Sequence, residues 1–199
     1  RDALEQQGIL VFQTGRASRL FVEPAEVRGF SIAEQPLPVI VANGRDPVTA
    51  RCFTLIHELA HLLLRVGGLC DLHYTRRHAT QRDRVEAYCN HVAGAFLVPA
   101  DALLAESTVR LHSTLAPWDD NELRELSRRF WVSAEVILRR LLILQRTTAE
   151  FYEQWRQAKE DQYPDRVSRP QEIRLPMWRR VLKRNGRLFP RLVLRAMHE

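Results

Sequence analysis

Residues 51–65 read RCFTLIHELAHLLLR and contain His57, Glu58 and His61 in the spacing H-E-x-x-H. Two histidines four residues apart on a helix lie on the same face, so both imidazoles can reach one metal ion. Glu58, next to the first histidine, is then placed to hold and deprotonate a water molecule on that ion. This spacing is typical of zinc peptidases and predicts a catalytic metal site.

The residues on either side of the motif predict a helix with defined ends. Asp46 and Pro47 predict an N-cap and a first-turn proline, and the glycines at 67 and 68 predict the C-terminal end. Three fixed letters also occur by chance, and the alternative is an amphipathic core helix with two locally satisfied histidines. The apolar stripe of the helix consists of Phe53, Ile56, Ala60, Leu63 and Leu64. Because the motif lies beside this stripe in a delimited helix, the context favours the metal site.

A catalytic zinc site needs a third protein ligand and keeps one position open for water. Residues 82–99 predict the next helix, with an apolar face of Val85, Cys89, Val92, Ala93, Phe96 and Leu97. Glu86 lies at the edge of this face, 25 residues after the motif. A solvated carboxylate is the alternative, but on an otherwise apolar helix Glu86 is the best third ligand in the chain. Asn90 is then expected to hydrogen-bond a ligand without touching the metal.

The two helices together resemble the ImmA/IrrE metallopeptidases over about residues 1–105. The resemblance rests on H-E-x-x-H at 57–61 followed by E-x-x-x-N-x-x-A-x-x-F-L-x-P at 86–99. It implies a gluzincin-like helix pair in which His57, His61 and Glu86 bind Zn²⁺ and Glu58 is the general base. It also implies a zinc endopeptidase that cuts a protein substrate, a DNA-binding repressor or antitoxin, often of the helix-turn-helix type.

A peptidase also needs a hydrogen-bond donor for the oxyanion that forms when water attacks the carbonyl. The polar segment 67–81 leaves and returns beside the predicted metal site, and it carries His73, Tyr74 and His78. Tyr88 on the following helix is a fourth candidate. A loop histidine is more often a solvated surface group, and with four candidates the sequence leaves the donor unassigned.

Three short apolar stretches at residues 9–12, 28–32 and 38–42 predict strands ahead of the metal helix. The expected fold is therefore α+β, with a small β-sheet packed on the zincin-type helix pair and a mainly α-helical C-terminal region. In zinc peptidases the edge of such a sheet commonly pairs with an extended substrate. Residues 29–32 or 39–43 are candidates for that role, and the alternative is a sheet that only covers the helix.

The region after residue 106 predicts a helical module. Aspartates at 119 and 120 can cap a helix to about residue 129, and Ser133 can cap a second helix at 134–144. The pair could place Glu135, Arg139 and Arg140 in a DNA groove, or it could be purely structural. We expect three regions: a zincin-like metallopeptidase domain at 1–106, this helix-turn-helix-like module at 107–161 and a basic helical tail at 162–199.

The positive charge of the chain is concentrated in the tail. Residues 162–199 contain 10 Arg and Lys against 3 Asp and Glu, whereas residues 1–161 contain 20 against 21. Residues 176–186 and 190–197 predict two short helices, and we expect their apolar side to pack on the preceding helices. A basic tail can contact nucleic acid or an acidic partner, or it can be a solvated helical face.

The compartment is expected to be cytoplasmic. No apolar run approaches the roughly 20 residues of a membrane span, and the start does not read as a signal peptide. The three cysteines lack C-x-x-C spacing and are expected to be reduced thiols. We expect no membrane partner.

Two other functions are consistent with the sequence. The first is a DNA-binding or antitoxin-like transcriptional regulator that uses the metallopeptidase fold as a binding platform with little turnover. The chain begins at Arg1, and the resembling family often carries a DNA-binding domain ahead of the peptidase. DNA contact would then use that missing domain or the helical module. The second is a zinc-stabilised structural domain, although structural zinc normally has four protein ligands.

Overall fold

The computed structural model describes residues 1–14, 23–24, 26–65, 68–69, 80–113, 116–162 and 176–198. By their contacts the residues form two compact units, residues 1–90 with 167–199 and residues 91–166. The described residues form ten helices and a four-stranded sheet, which confirms the α+β prediction. The division into peptidase domain, helical module and basic tail stays a prediction. None of the helices in the described ranges is long and apolar enough to span a membrane.

The longest helices are the two that carry the metal motif and its partner, followed by the helix Ala149–Gln162. Their bounds are α1 (Asp2–Gln6), α2 (Val48–Leu63), α3 (Gln81–Leu97), α4 (Ala100–Ala105), α5 (Ser107–Leu111), α6 (Asp120–Phe130), α7 (Ala134–Ile143), α8 (Ala149–Gln162), α9 (Met177–Asn185) and α10 (Leu188–Ala196).

The sheet of the first unit consists of β1 (Leu10–Gln13), β2 (Gly29–Ile32), β3 (Val39–Ala42) and β4 (Gly68–Leu69), in the order β1-β3-β2-β4. Strand β3 runs parallel to β1 and antiparallel to β2, and β4 is antiparallel to β2. The three predicted strands are confirmed. The fourth was not predicted, because two residues are too few to produce a periodic pattern.

Both predicted ends of α2 need correction. The N-cap residue is Pro47, and no side-chain hydrogen bond caps the helix, so Asp46 is not its cap. The helix ends at Leu63, and Arg65 then adopts a positive φ of 53°. With Leu64 as its C-cap, the helix ends before the predicted position, and Gly68 lies in β4. Gly67 lies outside the described residues.

The buried face of α2 also differs from the predicted apolar stripe. It consists of Thr54, His57, Glu58, Ala60 and His61. Leu63 and Leu64 of the predicted stripe are exposed. The metal motif itself therefore lies on the buried face of α2.

Phe96, which was predicted to lie on the apolar face of α3, is also exposed. Ala93, one turn before Phe96 in α3, is by contrast fully buried.

Strand β2 packs closely on α2 because Gly29 has no side chain. A Cβ atom at Gly29 would lie 2.3 Å from Thr54 Cγ2 and 2.8 Å from the Val41 carbonyl oxygen. Both distances are shorter than real Cβ contacts, and one neighbour is backbone, so the strand would have to move. The bare glycine thus allows the strand to lie against the helix that carries the metal motif.

Replacing Gly29 with alanine should lower the free energy of unfolding by about 1–3 kcal/mol, the usual cost of overpacking. Urea unfolding followed by circular dichroism would measure it. Gly94→Ala on α3 is the matched control, because its Cβ would meet only the aliphatic part of the Arg140 side chain, at 3.3 Å or more. In a helix alanine is also more favourable than glycine by up to about 1 kcal/mol, so Gly94→Ala should not lower the free energy of unfolding. Equal losses of this free energy in Gly29→Ala and Gly94→Ala would contradict this account of the contact.

The tail helices pack within the first unit on the N-terminal residues. The rings of Phe12 and Phe189 are 5.4 Å apart in an edge-on arrangement. The carboxylate of Glu5 accepts hydrogen bonds from the backbone nitrogens of Arg187 at 2.8 Å and Leu188 at 3.2 Å. Both helices were predicted, but their docking partners α1 and β1 lie far away in sequence and were not. Met177 and Trp178 of the predicted apolar side are exposed.

The second unit has the predicted pair of helices around an apolar core. Asp119 caps α6 in a capping box with Glu122, Trp131 ends it in the left-handed conformation, and the Ser133 hydroxyl caps α7. These three local signals confirm the predicted turn. The core includes Leu123, Leu126, Ile137, Leu138 and Leu141.

The predicted DNA-facing residues of α7 are mostly used inside this unit. Arg140 is buried, and its Nε donates a hydrogen bond to the Val98 carbonyl oxygen at 3.1 Å. Arg139 donates to Glu135 at 3.1 Å and to the Tyr152 hydroxyl at 3.0 Å. Because its guanidinium ties α7 to the end of α3, Arg140 is not placed to enter a DNA groove.

Candidate metal centre

Helices α2 and α3 bring three metal-binding side chains together in the first unit. His57 and His61 lie one turn apart on α2 and are 0% and 1% exposed, and Glu86 on α3 is 8% exposed. The two Nε2 atoms are 3.0 Å apart. Glu86 Oε2 is 3.2 Å from His57 Nε2, and Glu86 Oε1 is 3.3 Å from His61 Nε2. These three residues form a group that can hold a metal ion.

The spacing of the three donors fits a tetrahedral ion. Zinc binds histidine nitrogen and carboxylate oxygen at about 2.0–2.2 Å, so two ligands of one tetrahedral ion lie roughly 3.3–3.6 Å apart. The observed separations of 3.0 to 3.3 Å are within about 0.3 Å of that range. Two imidazoles and a carboxylate are also a donor set that zinc accepts.

The pKa values of two of these groups are shifted by their contact. Burial raises the pKa of Glu86, but hydrogen bonds from His57 and His61 outweigh it and lower the pKa to about 2. Burial lowers the pKa of His61, but its contacts with Cys89 and Glu86 raise the pKa to about 10. A metal ion binding at neutral pH would therefore displace a proton from His61.

Glu58 is fully buried beside the three donors. Neither of its carboxylate oxygens has a hydrogen-bond partner among the described residues. Burial raises its pKa, while the Ser31 hydroxyl and the two histidines act in the opposite direction. A carboxylate with a raised pKa both accepts and returns a proton more readily near neutral pH, as a general base and acid must.

The other predicted site residue in the described part of α3 is Asn90. It is buried one turn after Glu86, and its Oδ1 has no hydrogen-bond partner among the described residues. Its amide is thus on the buried face that carries Glu86. The predicted role, a hydrogen bond to a ligand, stays a prediction.

Of the four candidate oxyanion donors, the structure describes only Tyr88. Tyr88 is 54% exposed and lies about 200° around α3 from Glu86, so it points away from the cluster. The candidates His73, Tyr74 and His78 lie outside the described residues. The donor remains unassigned.

The two proposed substrate strands differ in what they can pair with. Strand β3 is interior, since it is paired with β1 on one side and β2 on the other. It has no free edge for a substrate, so the candidate at 39–43 is wrong. Residues Phe30 and Ser31 of β2 are paired with β4, so the edge on that side of the sheet belongs partly to β4.

Two residues near the cluster were missed by the sequence reasoning. Ser31 on β2 is buried, and its hydroxyl acts to lower the pKa of Glu58. Cys89 is buried beside His61 and was assigned only to the apolar face of α3. The sequence signal that could have identified Ser31 is a hydroxyl residue between two apolar residues of a predicted strand.

The affinity for zinc should fall as the pH is lowered. The histidines bind a metal only as neutral imidazoles, and below a pKa of about 10 a proton competes for His61. Between pH 8 and pH 6, each decrease of one pH unit should raise the apparent dissociation constant for zinc at least about tenfold. The reason is that one displaced proton changes this constant by that factor. A chelator competition at pH 6, 7 and 8 would measure it. The control His91→Ala, at an exposed position of α3, should keep the slope, and equal affinity at pH 6 and 8 would refute the effect.

A family model described as the IrrE N-terminal-like domain, from peptidase family M78, matches residues 4–142. The match covers more than half of the 199 residues and includes the sheet, both metal-motif helices and the helix pair α6–α7. No curated protein is detectably similar to the chain.

Proposed function

The chain belongs to the IrrE N-terminal-like family of metallopeptidases, and from this premise we propose that it is a zinc-dependent endopeptidase acting on a DNA-binding repressor or antitoxin-type partner. The observation that carries the proposal is the buried meeting of His57, His61 and Glu86 beside the carboxylate of Glu58. Each of the four side chains has a separate role in such a reaction.

The two Nε2 atoms and the Glu86 carboxylate would hold the ion. Zinc in this position supplies Lewis acidity to the scissile carbonyl and to a water molecule. Glu58 accepts the proton of that water at a carboxylate oxygen and returns it to the leaving amine. The buried surroundings of Glu58 keep other solvent away from this proton.

A catalytic ion is supported over a structural one by the number of donors. Structural zinc is normally enclosed by four protein ligands, whereas catalytic zinc keeps three and an open position. Among the described residues the group has three members. The fully buried glutamate next to it has no hydrogen-bond partner among the described residues that would repay the desolvation of its carboxylate.

The substrate class rests on the family resemblance, which implies a repressor or antitoxin. A proteome-derived peptide library incubated with the zinc-loaded protein would define the sequence it cuts. New termini that form with the wild type and not with Glu58→Gln support an endopeptidase. A second incubation, with a cell extract divided into DNA-bound and unbound proteins, tests the substrate class, and cuts confined to the unbound proteins would contradict it. The free cysteines at 52 and 89 support a reducing compartment, and we propose a cytoplasmic location.

The alternative function, a DNA-binding regulator with little turnover, is supported by the charge of the tail. Residues 176–198 contain seven Arg and Lys and no Asp or Glu. If this surface binds DNA, affinity should fall steeply between 50 and 200 mM salt, by about 10³ for six phosphate contacts. Fluorescence anisotropy with a random DNA duplex would measure the affinity at each salt concentration. The double variant Lys183→Ala/Arg191→Ala, which lacks two of these positive charges, is compared with the wild type. An affinity that does not change with salt would count against this function.

A further inference from the structure

The face of β2 that packs on α2 consists of two small residues. Gly29 and Ser31 are two positions apart on this face, and both are buried. An ideal Cβ at Gly29 would lie 3.7 Å from Glu58 Cγ. The stem of Glu58 therefore passes under Gly29, on the strand face that also carries Ser31.

Ser31 has an unpaired hydroxyl at this contact. Its Oγ is buried without a hydrogen-bond partner among the described residues, as are both carboxylate oxygens of Glu58. A buried hydroxyl that makes no hydrogen bond is costly, and alanine would occupy the position without that cost. Glu58, whose stem lies under Gly29 on the same strand face, offers a charged acceptor with room for several hydrogen bonds. The Ser31 hydroxyl also acts to lower the pKa of this carboxyl.

We propose that Ser31 is a positioning residue for Glu58, whose hydroxyl donates a hydrogen bond to one carboxylate oxygen and thereby directs the other oxygen towards His57, His61 and Glu86. The inference rests on the proposed function, in which Glu58 moves the proton. Ser31 itself does not touch the substrate or the ion. The hydrogen bond fixes the rotation of a carboxylate that has no other hydrogen bond to a described residue.

The kinetic test compares the wild type, Ser31→Ala and Ser31→Thr on a peptide that the wild type cuts. Loss of a hydrogen bond to a charged group should lower kcat about 10- to 100-fold in Ser31→Ala, with KM changed less than about twofold. Ser31→Thr keeps the hydroxyl and should recover most of kcat. Zinc content should be the same in all three proteins, because no metal ligand changes.

The matched control is Thr54→Val, which removes a buried hydroxyl from the same interface while keeping the side-chain shape. Its kcat should stay within about twofold of the wild type. A kcat of Ser31→Ala within twofold of the wild type would overturn the inference. A loss of kcat that comes with loss of zinc, or that Ser31→Thr shares in full, would assign Ser31 a structural role instead.

A crystal structure of the zinc-loaded protein tests the hydrogen bond without any activity. The distance from Ser31 Oγ to the nearer Glu58 carboxylate oxygen should be about 2.5–3.0 Å. A longer separation, or a Ser31 hydroxyl bonded elsewhere, would overturn the inference. If the wild type cuts no peptide, the endopeptidase proposal fails. This distance still decides whether Ser31 donates a hydrogen bond to Glu58.

Discussion

Replacing Glu58 with glutamine should abolish peptide cleavage while the protein keeps its metal. Glutamine has nearly the same shape but cannot accept a proton, and general acid–base catalysis contributes about 10²–10⁴ to the rate. The change does not touch His57, His61 or Glu86, which hold the ion in the proposed site. The measurement is kcat/KM on a cut peptide beside zinc content.

Glu34→Gln, the same substitution at an exposed position of the first unit, is the matched control and should cleave at the wild-type rate. If Glu58→Gln cleaved as fast as the wild type, the proton would be taken by another group. The assignment of Glu58 as general base would then be wrong.

Replacing Glu86 with alanine should weaken zinc binding by more than about 100-fold. Loss of a residue that only orients a ligand already costs 10- to 100-fold, and here one of three donors is removed. Two imidazoles from one helix then remain to hold the ion. A chelator competition gives the dissociation constant, and thermal unfolding with added zinc gives a second readout. Zinc should raise the unfolding temperature of the wild type and not of the variant, because ligand binding stabilises the folded state by mass action.

Glu34→Ala controls for the loss of a carboxylate outside the group and should bind zinc as the wild type does. Unchanged affinity in Glu86→Ala would mean that the third donor lies elsewhere. The contact of Glu86 with both imidazoles would then be only an ion pair.

The features that sequence reasoning could predict depend on residues close together in the chain. His57 and His61 are linked by one turn of α2, and Asp119 and Ser133 start their helices through local hydrogen bonds. The pairing of Glu86 with the two histidines is long-range. It could be anticipated because a catalytic ion needs a third donor and few carboxylates lie on a buried helix face.

The features that could not be predicted depend on contacts between distant segments. The two-residue strand β4 exists because β2 offers it an edge, and α9 packs on β1 although the segments are far apart in sequence. Phe96 follows the apolar spacing of α3 but is exposed, although Ala93 one turn before it is fully buried. The role proposed for Ser31 also depends on a strand meeting a helix, which no local pattern encodes.

The measurement that tests the central claim most directly is the metal content of the purified protein by elemental analysis. The wild type and Glu58→Gln should each carry about one zinc per chain after exposure to zinc and desalting, as a three-ligand site requires. Glu86→Ala should carry little. A wild type that retains almost no metal after zinc is added would contradict the account, and the regulator function would then be favoured.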